Sequence, residues 1–137
     1  MSCVSSVAAS PAAIELQKTM ASVPSVAPLT KVAVVLTPRG DIVCQYSVPG
    51  CLTNDILAGL ALVKKSATLL GASVGQEVPF LHSRGESHIF SLYTVHQHLF
   101  ALYQAGPKSA CEGTDTDDID KKLSPVLLSI TKLLAHL

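Results

Sequence analysis

Apolar side chains recur at two different spacings along this chain, and each spacing predicts one kind of element. Near the start, Leu16 and Met20 recur at the spacing of one helical face, and Pro24 interrupts the pattern. These positions predict a short amphipathic helix over residues 12–22. Residues 21–30 contain two prolines among small residues, so we expect a connector that forms neither a helix nor a paired strand.

Two runs rich in β-branched residues follow this connector and predict a hairpin. They occupy residues 31–36 and 41–47 and are separated by the sequence TPRG. Pro38 suits the second position of a turn, and Gly40 accepts a positive φ angle without steric cost. The two runs are therefore expected to pair as antiparallel strands.

The most apolar segment, residues 54–73, predicts a long helix. Thr53 or Asn54 can cap its N-terminus, and Gly71 or Gly75 can end it. The apolar residues of this segment cover more than one stripe of the helix surface. We therefore expect this helix to contact both a sheet and a second helix.

Strand signals return in three runs, which occupy residues 77–83, 86–94 and 98–104 and are separated by short turns. Pro79 lies in the first of these runs and has no N–H group to donate to a neighbouring strand. We therefore expect that run to form an edge of the sheet.

A polar segment and a further helix complete the chain. Residues 105–118 are polar and acidic and are expected to form a mobile loop. Ser124 and Pro125 have the residue types of an N-cap and a first helical position, and the apolar spacing after them predicts a C-terminal helix. We expect residues 1–11 to be flexible and residues 12–137 to form one domain.

The composition of the chain indicates that it binds a partner. Hydrophobic residues make up 48% of the 137 residues and charged residues only 15%, which is apolar for a small chain. Part of the apolar surface is therefore expected to be buried against another subunit. The formal net charge is zero and the basic residues are scattered, so the sequence shows no electrostatic footprint for nucleic acid.

Membrane insertion and secretion are not expected. Residues 58–63 run directly into Lys64 and Lys65, so no apolar run approaches the roughly 20 residues that cross a bilayer. The N-terminus is rich in Ser and Ala but lacks the basic start and continuous apolar middle of a secretory signal. The four cysteines form no C-x-x-C pair and are expected to be reduced thiols. We expect a soluble, cytoplasmic protein that reaches a membrane only through its partners.

Three histidines near the last strands are the main candidates for chemistry. His96 and His98 lie two residues apart and His88 lies across the predicted hairpin, so three imidazoles could bind zinc. Their neighbours are apolar and offer no second shell, which favours ordinary turn histidines. The aspartates at 115–120 lack the glycine and the final glutamate of a calcium loop. We therefore expect no catalytic, cofactor or metal site.

The hairpin VAVVLTPRGDIVCQYS and the later runs ESHIFSLYT and HLFALYQAGP resemble the roadblock family. This family comprises the roadblock dynein light chains, scaffold subunits of the Ragulator complex and related bacterial GTPase regulators. The resemblance covers residues 12–137 and includes Gly40, where the family has a turn glycine after an apolar strand. The last turn lacks the proline and acidic residues common in dynein-type members, and a C-terminal helix follows where those light chains usually stop. These departures favour the Ragulator-like or bacterial branches.

The resemblance implies an α+β fold in which helices cover both faces of a sheet. The sheet would have five antiparallel strands, with the long helix on one face and the N- and C-terminal helices on the other. In this family the edge strand, which carries Pro79 here, pairs across a dimer while the long helices pack together.

The residue pattern also requires a dimer. The long helix is apolar on more than one stripe and has Gly59 near its centre, and the edge strand is exposed. Both features need a neighbour to cover them, and a partner related by two-fold symmetry covers both. We therefore predict a homodimer or a heterodimer with a roadblock-like subunit. The expected interface residues are Ile56, Gly59, Leu60, Val63, Ala67, Val78 and Phe80. The charged residues Lys64, Lys65 and Arg84 are candidate contacts for an acidic partner.

These expectations describe a non-enzymatic dimerisation and scaffold subunit. The resemblance implies a multiprotein complex that recruits or regulates a small GTPase at a late endosomal or lysosomal membrane. One alternative is a dynein-type light chain that docks a peptide of the intermediate chain. A second alternative, from a different class, is a metal-dependent enzyme built on the histidine hairpin.

Overall fold

The computed structural model describes residues 10–76 and 79–136, so the expectations for residues 1–9 and for Val78 lie outside the described residues. The elements follow the predicted order of a helix, a hairpin, a long helix, three strands and a terminal helix. They are α1 (Pro11–Val26), β1 (Thr30–Leu36), β2 (Ile42–Ser47), α2 (Asn54–Val74), β3 (Phe80–Arg84), β4 (His88–Val95), β5 (His98–Ala105), α3 (Lys108–Glu112) and α4 (Thr116–Leu134).

The five strands form one antiparallel sheet in the order β2-β1-β5-β4-β3. This order places β3 at an edge, as the proline before it predicted. Strands β4 and β5 are joined by a two-residue turn in which His96 and Gln97 both have positive φ angles, of 43° and 65°. Two central residues with positive φ give the turn that best matches the right-handed twist of paired strands.

Helices cover both faces of the sheet, and alternation along β5 shows how. Phe100 and Leu102 are fully buried in a core cluster that the sheet forms with α1 and α4. Ala101, between them, is buried in a second cluster that the sheet forms with α2. Successive side chains of a strand point to opposite faces, so both faces carry apolar residues. The predicted α+β arrangement is confirmed.

Helix α1 is longer than the sequence predicts, and the connector expected at residues 21–30 is wrong. Pro24 lies inside the helix, which continues to Val26. A proline in a helix removes one N–H donor and its hydrogen bond. Here Val23 and Ala27 are both fully buried against the core, and this burial offsets the lost bond.

Helix α4 begins earlier than predicted. Its N-cap is Asp115, whose carboxylate accepts a hydrogen bond from the backbone N–H of Asp117 at 2.9 Å, and Pro125 lies inside the helix. Ile119 and Leu123 are buried in the same core cluster as the later apolar residues of α4. The apolar face therefore extends upstream of the proline, and its burial outweighs the interruption.

The acidic segment at residues 105–118 contains more regular secondary structure than the predicted loop. It contains the short helix α3 and the first residues of α4. Within it, Cys111 is 1% exposed, and its backbone N–H donates to the carbonyl of Pro107 at 3.1 Å. This buried side chain fixes the segment locally. The polar composition of the segment did not predict it.

Helix α2 matches its predicted bounds. The hydroxyl of Thr53 accepts a hydrogen bond from the backbone N–H of Ile56 at 3.3 Å, and Gly75 ends the helix with a φ of 74°. Gly59 has a packing reason inside the chain, because a Cβ atom there would lie 2.8 Å from the ring of Phe90. The glycine permits this ring to lie directly beneath the helix.

Candidate protein-interaction surface

The inward face of α2 packs against the sheet of its own chain. Leu60 and Val63 are 2% and 7% exposed, respectively, and lie in the core cluster with the sheet. Ile56 and Ala67 are partly buried against the same cluster, and Gly59 lies on Phe90. These five residues were predicted to face a partner subunit, and in the structure they pack against the sheet of the same chain. A periodic apolar stripe identifies a buried face, but not which neighbour buries it.

A different side of α2 carries the exposed apolar residues. Leu62 is 65% exposed and Leu69 is 59% exposed, and their spacing of seven residues, two helical turns, places them on one side of the helix. Leu70 and Val74, exposed by 47% and 64%, respectively, extend this surface toward the end of the helix. We call these four residues the apolar flank of α2. Contiguous exposed apolar residues of this kind mark interaction sites.

The position of a groove shows which way the apolar flank points. The groove has a volume of about 470 Å³, and its lining includes Lys64, Thr68 and Ala72 of α2 together with Leu99 of β5 and Pro38 of the β1–β2 turn. The three α2 residues are spaced four apart and so lie on one side of the helix, toward this groove, which Leu92 and Thr94 of β4 also line. Because successive helical residues are about 100° apart, Leu62 and Leu69 lie on a different side of the helix from this groove. Since α2 also contacts β3, we infer that the apolar flank is on the β3 side of the helix.

The edge strand itself presents an aromatic side chain. Phe80, which was predicted to lie at the interface, is 49% exposed and lies opposite Tyr93 in the β3–β4 pairing. Directly opposed residues share a face of the sheet, so Phe80 is on the face covered by α1 and α4. Its ring centroid is 6.5 Å from that of Tyr93 and 5.8 Å from that of His82.

Two of the three charged residues proposed for partner binding make hydrogen bonds within the chain. The Nζ atom of Lys64 donates to a carbonyl of the β1–β2 turn at 2.8 Å. The guanidinium of Arg84 donates to the carbonyl of Cys111 at 2.6 Å and to the carbonyl of Thr114. Lys65 is exposed on α2 and remains the candidate for contact with an acidic partner.

A polar cluster links β3 to β4 and α4. His82 lies between Ser91, with its Nδ1 atom 2.7 Å from the hydroxyl oxygen, and Asp120, with its Nε2 atom 3.0 Å from Oδ1. The same Oδ1 atom accepts a hydrogen bond from the hydroxyl of Tyr93 at 2.5 Å. An ionised carboxylate only accepts, so in neutral His82 the proton is on Nε2, and Nδ1 accepts from Ser91. These four side chains are the polar cluster referred to below.

Burial raises the pKa of the Tyr93 phenol well above its ordinary value, and the hydrogen bond to Asp120 and the negative charge of that residue raise it further. Tyr93 therefore remains a neutral donor to Asp120. The bond cannot be lost by ionisation of Tyr93 at ordinary pH.

The order of Ser91, His82 and Asp120 is that of a hydrolase triad, but their setting differs. Ser91 is 1% exposed, lies within β4 and is directly opposed to His82 in the strand pairing. A nucleophile must reach a substrate carbonyl, and this hydroxyl faces packed protein. The geometry favours a structural connection. The sequence offered no local signal for this cluster, because His82 and Asp120 are 38 residues apart.

The three histidines singled out from the sequence do not converge. His88 pairs with Ala105 at one end of β4, whereas His96 lies in the turn at the other end. The rings of His96 and His98 stack with centroids 6.5 Å apart. Within residues 10–76 and 79–136, no three His, Cys, Asp or Glu side chains are grouped as metal ligands.

Helix α2 also requires a correction to the expectation about membranes. It is 21 residues long and, by length and composition alone, apolar enough to cross a bilayer. However, Lys64 and Lys65 lie at its middle, where a charged side chain in a bilayer is costly. One face of the helix is packed on the sheet. Both observations favour protein rather than lipid as the cover for its exposed side.

Solved structures share this fold at low sequence identity. MglB from Myxococcus xanthus has a TM-score of 0.73 at 13% identity, with 95% of each chain covered. A Roadblock/LC7 domain from Streptomyces avermitilis has a TM-score of 0.68 at 13% identity, covering 87% of this chain and 97% of that one. A structure described as MglB with a tetrameric arrangement has a TM-score of 0.63 at 10% identity, with 96% of each chain covered. No protein-family model and no curated protein matches the chain.

The chain therefore has the roadblock fold, and the resemblance found in its sequence is confirmed at the level of the fold. The matches cover 87% to 96% of this chain, so the likeness in fold extends over most of the chain rather than over one part of it.

Proposed function

We propose that this protein is a non-enzymatic dimerisation and scaffold subunit that pairs with a second roadblock-fold chain. The observation that carries the proposal is that α2, which contacts the edge strand β3, carries the exposed apolar flank. One partner placed against the β3 side of α2 would pair with β3 and cover the flank at the same time.

The other edge of the sheet is less suited to pairing. Helix α1 packs against β2, and the side-chain amide of Gln17 donates to the backbone carbonyl of Gln45 in β2 at 3.0 Å. That carbonyl is therefore already occupied. Association through β3 is favoured because its side of the molecule combines an edge strand with exposed leucines.

Sedimentation equilibrium tests the dimer with charged substitutions in the flank. We expect Leu62→Glu and Leu69→Glu each to raise the dimer dissociation constant at least about a hundredfold, because each removes apolar burial from both subunits and buries a carboxylate. The matched control is Leu128→Glu on α4, where the parent side chain is 56% exposed. A parent protein that remains monomeric at all concentrations, both alone and mixed with other roadblock-fold chains, would contradict the proposal.

The partner can be a second copy of this chain or a related subunit. One MglB structure is described as having a tetrameric arrangement, which supports the idea that chains with the roadblock fold assemble with one another. Purified protein that dimerises alone supports the homodimer. Protein that dimerises only after mixing with another roadblock-fold chain supports the heterodimer.

We further propose that the dimer recruits or regulates a small GTPase, as the resemblance to Ragulator subunits and bacterial GTPase regulators implies. The protein would then be cytoplasmic and would reach a late endosomal or lysosomal membrane only through its partners. The alternative is a dynein-type light chain. Binding assays with a panel of small GTPases and with a dynein intermediate-chain peptide distinguish the two, since each hypothesis expects binding in one arm only.

A further inference from the structure

The backbone of β3 has a definite outward side. The backbone N–H of Thr94 donates to the carbonyl of Pro79 at 3.0 Å, and that of Gly85 donates to the carbonyl of His88 at 2.8 Å. In an antiparallel pair, hydrogen-bonded residues alternate along the strand. Residues 81 and 83 therefore point their backbone groups toward β4. The backbone groups of Phe80, His82 and Arg84 point away from β4, toward any strand added at this edge.

Two of these three outward-facing residues have side chains that form hydrogen bonds with the segment that contains α3 and α4. His82 contacts Asp120 of α4 through the polar cluster. Arg84 donates two hydrogen bonds to carbonyls of Cys111 and Thr114, at the end of α3. Two of the three residues that present their backbone at the edge are thus fixed by polar bonds to one segment.

Apolar packing contributes little to holding β3 on the face of the sheet that α1 and α4 cover. The core cluster between the sheet and helices α1 and α4 takes its buried sheet residues from β1, β2, β4 and β5. On β3, Phe80 is half-exposed, and the side chains of His82 and Asp120 are only 15% and 25% exposed, respectively. Hydrogen bonds at partly buried sites are stronger than those in open solvent, particularly when one partner is charged.

We propose that His82, Arg84 and Asp120 are positioning residues that fix edge strand β3 for pairing with a partner, so that the segment with α3 and α4 controls the strength of the dimer. This inference rests on the proposed dimerisation. It assigns a role to the acidic segment at residues 105–118, which supplies the carbonyl groups that Arg84 contacts, and to Asp120, the first charged residue beyond it that contacts β3.

Amide hydrogen exchange tests the positioning role separately from dimerisation. The measurement uses the Leu69→Glu background, in which a partner does not protect the edge. Asp120→Ala is expected to speed exchange of the Leu81 and Ser83 amides about tenfold to a hundredfold, since it removes two charge-assisted hydrogen bonds. Asp120→Asn, which keeps one acceptor oxygen, should restore part of the protection.

The matched control is Asp118→Ala. Asp118 lies on the same helix and is exposed, and its ion pair is to Lys122 at 3.0 Å on the helix surface. This control should leave the β3 amides unchanged, and the amides of β5 should be unchanged in every variant. Equal acceleration in β3 and β5 would mean that Asp120 contributes only global stability, and this result would overturn the inference. Unchanged β3 exchange in Asp120→Ala would overturn it too.

Sedimentation of the same variants without Leu69→Glu links the strand to the dimer. Asp120→Ala and Arg84→Gln should each weaken dimerisation about tenfold or more, whereas Asp118→Ala should not. A parent chain that is monomeric both alone and mixed with other roadblock-fold chains refutes the proposed dimer, while the exchange experiment still decides whether these residues fix β3. Normal dimerisation of Asp120→Ala with fast β3 exchange would overturn the link between the two.

Discussion

At the scale of single residues, the structure gives physical reasons for choices that appear unfavourable in the sequence. Gly59 costs an α-helix about 1 kcal/mol relative to alanine. It is present because the ring of Phe90 occupies the space of its missing Cβ atom. Tyr93 is almost fully buried with a polar hydroxyl, and that hydroxyl is satisfied by Asp120.

Replacement of Gly59 by alanine is expected to destabilise the protein by about 1–3 kcal/mol, although alanine is the better helix former. The added Cβ atom would lie 2.8 Å from one carbon of the Phe90 ring and 2.9 Å from another. Urea unfolding measures the change. In the double variant with Phe90→Leu, Gly59→Ala should cost less than it does alone, and additive effects of the two substitutions would contradict this explanation.

Tyr93 is expected to make stability depend on alkaline pH. The pKa of its phenol is raised in the folded protein above the ordinary value near 10. Above that value the unfolded chain loses the proton and the folded chain keeps it, so the free energy of unfolding falls as pH rises. Urea unfolding between about pH 9 and 11 should show a weaker fall for Tyr93→Phe than for the parent. Identical slopes would exclude Tyr93 as a cause.

At the scale of elements, tertiary burial overrides local signals for where helices end. Prolines lie inside α1 and α4, and in both cases apolar residues on each side of the proline are buried in one core cluster. Boundaries based on proline were therefore wrong at both helices. The bounds of α2 were predicted well because its cap and its terminal glycine act locally.

Pro125→Ala is expected to stabilise the protein by about 1–3 kcal/mol, since alanine restores an N–H donor in the middle of α4 and removes a steric clash. Pro125 is exposed, so the substitution leaves no cavity. Thermal and urea unfolding measure the gain, and Ser124→Ala at the neighbouring exposed position is the control. Equal stability of Pro125→Ala and the parent would show that the proline is accommodated without cost.

At the scale of the whole molecule, the sheet has two faces covered by helices and two edges that differ. Helix α1 lies against β2, whereas β3 contacts α2, the helix that carries the apolar flank. Because the two edges differ in this way, we expect a partner to bind at the β3 edge. Sedimentation is expected to detect the resulting dimer. The polar contacts of β3 with α3 and α4 then connect the far end of the chain to the same edge.

The candidate site was less predictable than the fold. Phe80 was predicted to lie at a dimer interface, and the structure places it, half-exposed, on the edge strand. The interface residues chosen on α2 were those of the strongest apolar stripe, and the sheet of the chain itself buries that stripe. The flank with Leu62 and Leu69 was overlooked because a one-dimensional pattern ranks stripes by hydrophobicity and does not show which remains uncovered.

The resemblance to the roadblock family implied the sandwich of helices around a sheet, whereas the residue pattern by itself determined the order of the elements, the hairpin and the edge position of β3. These features depend on side-chain period, turn residues and caps, which act between near neighbours in the chain. Only the tertiary structure decided where α1 and α4 end, which side of α2 is exposed and that His82, Arg84 and Asp120 secure the edge strand. Those outcomes depend on contacts between residues distant in sequence, and the energy of such contacts exists only once the chain has packed.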